Sequence, residues 1–117
     1  MKRNMELIRK ILLAVESGEL NESIEGYSDD EIKYHKVLAI DAGLLEGKVL
    51  NSISNRSDIP VNVFINRITW EGHDFVEGIA SESNWGKVKS FLLDGGKQVT
   101  IDTIKAAVVI LFGLSTS

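Results

Sequence analysis

The sequence predicts an α+β domain, and three features of the chain lead to this fold class. Several stretches space apolar residues as one face of a helix does, two stretches alternate apolar and polar residues as strands do, and a polar loop joins those two. The 117 residues suffice for one hydrophobic core. We therefore expect a single domain over residues 1–117, with its main body over residues 1–80 and a helical extension over residues 81–117.

The first helix is predicted to run from Asn4, a capping residue, to Ser17, which precedes a glycine that can end it. The stretch from Glu19 to Tyr27 has few large apolar residues, so a short strand over residues 23–26 or an irregular turn fits it better than a helix. A complete helix-turn-helix needs a helix of about two turns there. The apolar face of the first helix is Met5, Leu7, Ile8, Ile11, Leu12 and Val15.

The central helix has clear signals at both ends. Ser28 is predicted to cap it, and Glu31, three residues further on, completes a capping box. Asp29 and Asp30 also lie in the first turn, where the positive end of the helix dipole favours carboxylates. Gly43 permits the left-handed backbone that ends many helices. The stripe predicted to face the core is Ile32, Val37, Leu38, Ile40 and Leu44.

A hairpin is predicted next, with strands from Leu45 to Leu50 and from Val61 to Trp70 and a polar loop over residues 51–60. A helix that ends at a glycine and leads into a hairpin has the order of the third helix and wing of a winged-helix domain, so residues 1–80 predict a winged-helix-like core. In the second strand we expect Val61, Val63 and Ile65 on one face, with Phe64 and Ile68 on the other.

The rest of the chain is predicted to be helical. Thr69 caps a helix that begins at Trp70, and Ser83 is expected to cap a second one over residues 85–93 after an interruption at residues 81–84. The buried face of the first of these helices is predicted to be Phe75, Val76 and Ile79, and that of the second Trp85, Val88, Phe91 and Leu92.

The last helix, capped by Thr100 and running from Ile101 to about Phe112, is apolar on nearly every side. Such a helix has to be covered either by the core of its own domain or by a second chain. Core packing and a homodimer interface both remain open for it. The candidate interface residues are Val108, Ile110, Leu111 and Phe112.

Four segments carry a family resemblance: Met1–Arg9, then Gly26–Ser28 with Glu31–Ile32 and Tyr34–His35, then Ala42–Gly47, and Ile68–Phe75. Together they resemble a family of uncharacterised bacterial and prophage-borne proteins that is grouped as a domain of unknown function. This resemblance implies a small regulatory role in a prophage or mobile element, and no particular activity or ligand. Residues His35–Leu45 are also similar to the third helix of bacterial winged-helix regulators, with Lys36 where that pattern has leucine and Ala39 where a larger residue is usual.

The sequence offers little for catalysis. His73 and Glu77 have the i, i+4 spacing of two metal ligands, but no further ligands lie near them in the sequence. We favour the interpretation that Glu71 and Asp74 complement the start of their helix while His73 packs at its edge, and that His35 is a partly buried helix residue. The chain has no cysteine and no glycine-rich phosphate loop. We therefore predict no enzyme, no catalytic or metal-binding residue, no cofactor and no small-molecule substrate.

The net charge of −4 is distributed unevenly along the chain. Residues 1–18 carry a charge of +2, residues 19–45 carry −5, residues 46–70 carry +1 and residues 71–117 carry −2. The acidic excess thus lies on and before the helix that would enter a DNA groove, where it opposes the phosphates. Besides the cations of the first helix, Lys2, Arg3, Arg9 and Lys10, the candidate nucleic-acid contacts are Lys33, Tyr34, Lys36 and Arg56.

A binding protein without catalytic activity is the function that this sequence favours. Protein–protein interaction, with a second copy or another protein, is preferred to weak or sequence-specific DNA binding by a winged-helix regulator. The start of the chain lacks the apolar core of a signal peptide, and the longest uncharged run, residues 106–117, is shorter than the ~20 residues that span a membrane. We therefore expect a cytoplasmic protein with no membrane contact.

Overall fold

A computed structural model describes residues 2–19, 23–51 and 59–113. It is a mixed α+β structure, as predicted, and these residues form five helices and one two-stranded antiparallel sheet. None of these helices is long and apolar enough to cross a membrane. The elements, in chain order, are α1 (Met5–Glu16), α2 (Asp29–Asp41), β1 (Leu45–Leu50), β2 (Asn62–Ile68), α3 (Trp70–Glu77), α4 (Glu82–Asp94) and α5 (Ile101–Phe112).

Four helices begin at the capping residue that the sequence predicts. Asn4 accepts a hydrogen bond from the amide of Leu7 at the start of α1. Thr69 and Thr100 cap α3 and α5 in the same way. At α2 the predicted capping box is complete: Ser28 Oγ accepts from the amide of Glu31 at 3.1 Å, and Glu31 Oε1 accepts from the amide of Ser28 at 3.0 Å.

The cap of α4 is Ser81, so the prediction of Ser83 is wrong. Ser81 has extended backbone angles, and its hydroxyl accepts from the amide of Asn84 at 3.0 Å. The break after α3 occupies only residues 78–81, which leaves Ser83 inside the first turn of α4. Before α2, Glu25 and Gly26 form a turn, and residues 23–27 contain no strand. Residues 20–22 lie outside the described part of the chain.

The hairpin contains a β-bulge that reverses one prediction. Glu46 pairs with Arg67, whereas its neighbour Gly47 pairs with Ile65, so Asn66 has no partner across the ladder. An extra residue in one strand shifts the alternation of its side chains. Ile68 is therefore 9% exposed and faces the core, whereas Phe64 is 52% exposed on the other side, and the prediction that these two share a face is wrong.

The hydrophobic core is built around α1. Leu7, Ile8, Ile11 and Leu12 are each at most 1% exposed. They share one continuous core with buried residues from every other helix and from the hairpin. The apolar core side chains outside α1 are Ile32, Ala39, Leu44, Leu45, Ile68, Phe75, Val76, Ile79, Trp85, Val88, Leu92, Ile104, Ala107 and Val108.

A buried histidine ties α2 to the start of α1. His35 is 1% exposed, and its Nε2 accepts a hydrogen bond from the amide of Asn4 at 2.9 Å. Because Nε2 accepts, the ring proton is on Nδ1, which donates to the carbonyl oxygen of Glu31 at 2.7 Å. Both ring nitrogens of His35 are thus satisfied within the fold.

Candidate interaction surfaces

The helix that the sequence proposes for nucleic-acid contact, α2, is largely covered by the rest of the domain. Between Glu31 and Ile40 every residue is buried or half-buried, and the fully exposed positions are the acidic ones at its ends. Lys33, Tyr34 and Lys36 are all half-buried. Arg56, the fourth candidate contact, lies outside the described residues. These four contacts stay predictions, and three of them present only part of their surface.

Lys36 lies in a mostly apolar setting. It lines a small cavity together with Ile24 and Ile32, and Glu19 is the acidic residue that lines the same cavity. Burial lowers the pKa of Lys36 below its ordinary value of 10.5, the nearby carboxylate of Asp29 opposes that shift, and the charge of Lys33 adds to it. Its environment therefore disfavours the charge that a phosphate contact requires.

Arg9, which the sequence leaves among the cations available to a nucleic acid, is 2% exposed and belongs to the core. Its Nε donates to the carbonyl oxygen of Ile79 at 2.7 Å, and its Nη2 donates to the carbonyl oxygen of Ala80 at 2.8 Å. These two carbonyls lie between α3 and α4, where no helical amide is available to them. Arg9 therefore joins α1 to the α3–α4 turn. A carboxylate oxygen of Glu82 lies 3.5 Å from Nη1 of Arg9.

The side chains next to Arg9 also make their contacts within the domain. Its guanidinium carbon lies 5.8 Å from the ring centroid of Trp85, which is 2% exposed. The indole N–H of Trp85 donates to Glu6, and Lys89 lies over the same ring, 5.3 Å from its centroid. These contacts hold α4 against α1. Little of the positive charge of Arg9 and Lys89 is therefore left to bind a ligand.

Helix α5 is covered on one side by the core and open on the other. Val108 is 2% exposed and packs closely on Gly78, where an added Cβ atom would lie 2.5 Å from Val108 Cγ1. Val108 is therefore a core residue, and its proposed place in an oligomer interface is wrong for the folded monomer. Phe112 is half-buried and packs against the core. Ile110 and Leu111, in contrast, are 66% and 37% exposed.

The exposed residues Ala106, Val109 and Ile110 form one apolar face of α5, whereas Leu111 lies in line with the buried Ile104, two turns before it. We call Ala106, Val109 and Ile110 the α5 stripe; Val109 is 44% exposed. No charged residue occurs between Ala106 and Gly113. A helix face that is exposed to solvent usually carries charged or polar side chains. The composition of the α5 stripe is instead typical of a helix face that packs against other protein.

Sequence reasoning missed the most exposed large apolar side chain in residues 2–19, 23–51 and 59–113, which is Trp70 at 79%. It is the first residue of α3, directly after its cap. Counting 100° per residue from the buried Phe75 and Val76 places Trp70 on the opposite side of the helix. The helical spacing around Phe75 was therefore the signal that would have found it.

His73 pairs with a carboxylate of another helix. Its Nδ1 lies 3.1 Å from an oxygen of Glu16 in α1, and both side chains are about half exposed. Within the described ranges no three histidine, aspartate or glutamate side chains group as metal ligands would. Glu71, on the same helix as His73, instead accepts from Lys105 of α5 at 3.1 Å.

A cleft of about 640 Å³ opens where the start of α1, the end of α2 and the start of α5 meet. Both basic and acidic residues line it, namely Arg3 and Lys105 together with Asp41 and Asp102. The described residues contain no buried side-chain polar atom without a partner. The lining of this cleft therefore favours no single ligand charge.

The comparison with known families places this chain. A family model described as a hypothetical protein, DUF2513, matches residues 2–98. The chain belongs to the DUF2513 family. The matched region contains α1 to α4 and the hairpin, including the Arg9 cluster and Trp70, whereas α5 lies beyond it.

Another protein similar to this DUF2513 chain comes from Haemophilus influenzae (strain ATCC 51907 / DSM 11121 / KW20 / Rd) and carries the name "Uncharacterized protein". It is 30% identical over an alignment of 111 residues, and the match covers 90% of this chain and 90% of the relative. No solved structure matches the chain. The expected resemblance to a domain of unknown function is thus confirmed, and the winged-helix and prophage expectations remain predictions.

Proposed function

We propose that this DUF2513 protein is a binding module without catalytic activity that acts through protein–protein contact. The role we assign it is that of a small cytoplasmic regulatory protein of a bacterial prophage or mobile element, as the family resemblance implies. The observation that carries the proposal is the α5 stripe, an uncharged apolar helix face that the rest of the domain leaves open.

The partner that we assign to the α5 stripe is a second copy of the chain. Two copies related by a two-fold axis bring the same stripe together, and because it carries no charge, they meet without like-charge repulsion. Ala106 is small and Ile110 is large, and they lie one turn apart on the same face. In an antiparallel pair each Ile110 can therefore lie over the Ala106 of the partner.

The size of the stripe sets an expectation for the affinity. Stable interfaces take about 800 Å² from each partner, which is far more than three partly exposed aliphatic side chains supply. The stripe is therefore the apolar centre of a modest contact. We expect a dimer that forms at micromolar concentration or above and dissociates on dilution.

DNA binding by α2 and the hairpin, in the manner of a winged-helix regulator, is the second candidate. Its support is the order of α2, β1 and β2, together with Lys48, which is exposed on the hairpin. It ranks second because α2 begins with three carboxylates and presents only half-buried cations.

The test of the first proposal is analytical ultracentrifugation of the protein over a wide concentration range. We expect the average mass to rise with concentration, and the substitution Ile110→Asp to abolish the rise because it places a charge in the centre of the contact. Leu93→Asp is the matched control, since Leu93 is 65% exposed on α4, almost the same as Ile110. A protein that stays monomeric at millimolar concentration overturns the dimer.

A further inference from the structure

Trp70 is a large side chain that the fold leaves in solvent. Tryptophan is highly buried in most proteins, and the other tryptophan of this chain, Trp85, is 2% exposed. Trp70 is 79% exposed at the first position of α3. An exposed indole of this size is a typical anchor for another molecule, because tryptophan is enriched among the residues that contribute most to binding.

The residues next to Trp70 in the sequence make contacts that stabilise the fold, whereas Trp70 does not. Thr69 caps α3, and Ile68 and Phe75 lie in the core. Gly72 lies against the carbonyl of Leu44 so closely that a Cβ atom there would overlap it. Trp70 makes none of these contacts and lies on the side of α3 that faces away from the core.

Two carboxylates share that side of the helix. Asp74 is one turn from Trp70 and Glu77 is two turns away, so all three side chains leave α3 in nearly the same direction. We call Trp70, Asp74 and Glu77 the Trp70 face. Neither carboxylate forms an ion pair with any described residue.

The charged groups at the two edges of this face already have partners. On one edge Glu71 accepts from Lys105 of α5 at 3.1 Å. On the other, His73 lies 3.1 Å from the carboxylate of Glu16 in α1. The groups left to a ligand are therefore an aromatic ring and two carboxylates, which together favour a cation.

We propose that the Trp70 face binds a basic segment of another protein, with an arginine or lysine side chain lying over the indole of Trp70. A cation over the face of tryptophan gains about 0.5–2 kcal/mol. Asp74 and Glu77 supply acceptors for the same group or for its neighbour, and guanidinium–carboxylate hydrogen bonds are among the strong ones. The same carboxylates disfavour nucleic acid and anionic membrane. The Trp70 face lies on α3 and not on α5, so the test of this proposal is independent of the test for the dimer.

The test is selection from a phage-displayed library of random peptides, with the full-length protein as bait and the Trp70→Ala variant as counter-selection. We expect the enriched peptides to carry arginine or lysine beside an apolar residue. Trp70→Ala weakens their binding at least about tenfold, and Glu77→Lys weakens it at least about threefold because it reverses a charge on the face. Trp85 is buried, so the change in tryptophan fluorescence on binding comes from Trp70 and disappears in Trp70→Ala.

Two matched variants act as controls. Phe91→Ala removes another exposed aromatic side chain, and Asp94→Lys reverses another exposed charge, both on α4. Each is expected to leave binding unchanged within about twofold. Glu77→Lys, at an exposed position, tests the same face even if Trp70→Ala folds poorly. Failure to enrich any peptide, enrichment of peptides without a basic residue, or equal binding to the parent protein and to Glu77→Lys overturns the proposal.

Discussion

The guanidinium of Arg9 donates a hydrogen bond to the carbonyl oxygen of Ile79, 70 positions further along the chain and 2.7 Å away. This bond and its companion to Ala80 hold the turn between α3 and α4 against α1. The Trp70 face lies on α3 and the buried Trp85 on α4. One buried cation therefore contributes, beside the core packing, to the orientation of both helices.

Replacing Arg9 by methionine should destabilise the protein strongly. The change leaves the carbonyls of Ile79 and Ala80 without their donors, and hydrogen bonds to a charged group contribute about 1.5–3 kcal/mol each. We expect the free energy of unfolding, measured with urea, to fall by about 3 kcal/mol or more, as the loss of two such bonds implies. Lys10→Met is the control, because Lys10 lies over the ring of Tyr27 with its centroid 5.5 Å away and should contribute less than about 1 kcal/mol. Equal effects of the two substitutions would contradict this role of Arg9.

Removing the imidazole of His35 should destabilise the contact between α1 and α2. In His35→Phe the amide of Asn4 loses its acceptor and the carbonyl of Glu31 loses a donor, at a cost of about 1–3 kcal/mol. Nitrogen NMR of the imidazole provides a separate check on the unmodified protein. We expect a neutral ring with the proton on Nδ1, and a proton on Nε2 would show that the hydrogen bond from Asn4 is absent.

The lowered pKa of Lys36 predicts a pH-dependent contribution to stability. Between the folded-state pKa and the ordinary value of 10.5 the unfolded chain binds more protons than the folded one, so stability rises with pH in this window. Below the window both states are charged, and the folded protein carries the net cost of the buried charge, which the carboxylate of Asp29 reduces. Lys36→Met is therefore expected to be more stable than the parent protein at neutral pH, and the difference should shrink as the pH approaches 10.5.

Urea unfolding of Lys36→Met at several pH values from neutral to about 10 measures this dependence. Lys87→Met, at an exposed position of α4, controls for the loss of one positive charge. A constant difference between Lys36→Met and the parent protein across this range would show that burial does not control the charge of Lys36.

Two glycines in helices should respond in opposite ways to alanine. At Gly72 an added Cβ would overlap the carbonyl oxygen of Leu44 and lie 2.8 Å from Ile68 Cγ1, so α3 would have to move away from the hairpin. We expect Gly72→Ala to destabilise the protein by roughly 3 kcal/mol or more. Gly86 faces open space within α4, so Gly86→Ala should stabilise it by about 0.5–1 kcal/mol. Thermal unfolding of the two variants measures both effects, and a loss of stability in Gly86→Ala would contradict the packing described for α4.

A titration of labelled mixed-sequence duplex DNA tests the second candidate function. With α2 acidic at its start and half-buried along its length, we expect at most weak binding at low salt that disappears as salt is raised. If DNA binding is the function, the double substitution of Lys33 and Lys36 by alanine abolishes it, and Arg56→Ala weakens it evenly across sequences. Tight binding at raised salt would move DNA recognition ahead of protein contact.

The sequence by itself determined where four of the five described helices begin. The caps Asn4, Ser28, Thr69 and Thr100 and the glycine that ends α2 were all predictable, because capping and glycine conformation depend on residues within one turn of each other. The α+β class and membership of a domain of unknown function also followed from the sequence.

Only the tertiary structure decided which side chains remain available to a partner. From the sequence alone Arg9 is predicted to be a surface cation, but in the structure α3 and α4 enclose it. Val108 is predicted to be an interface residue, but in the structure it packs against Gly78. Asn66 bulges because the pairing of the two strands leaves it without a partner across the hairpin, and that bulge turns Ile68 inward. Trp70 is exposed because α3 packs by its opposite side. Each of these outcomes depends on contacts between residues far apart in the chain, which local patterns do not specify.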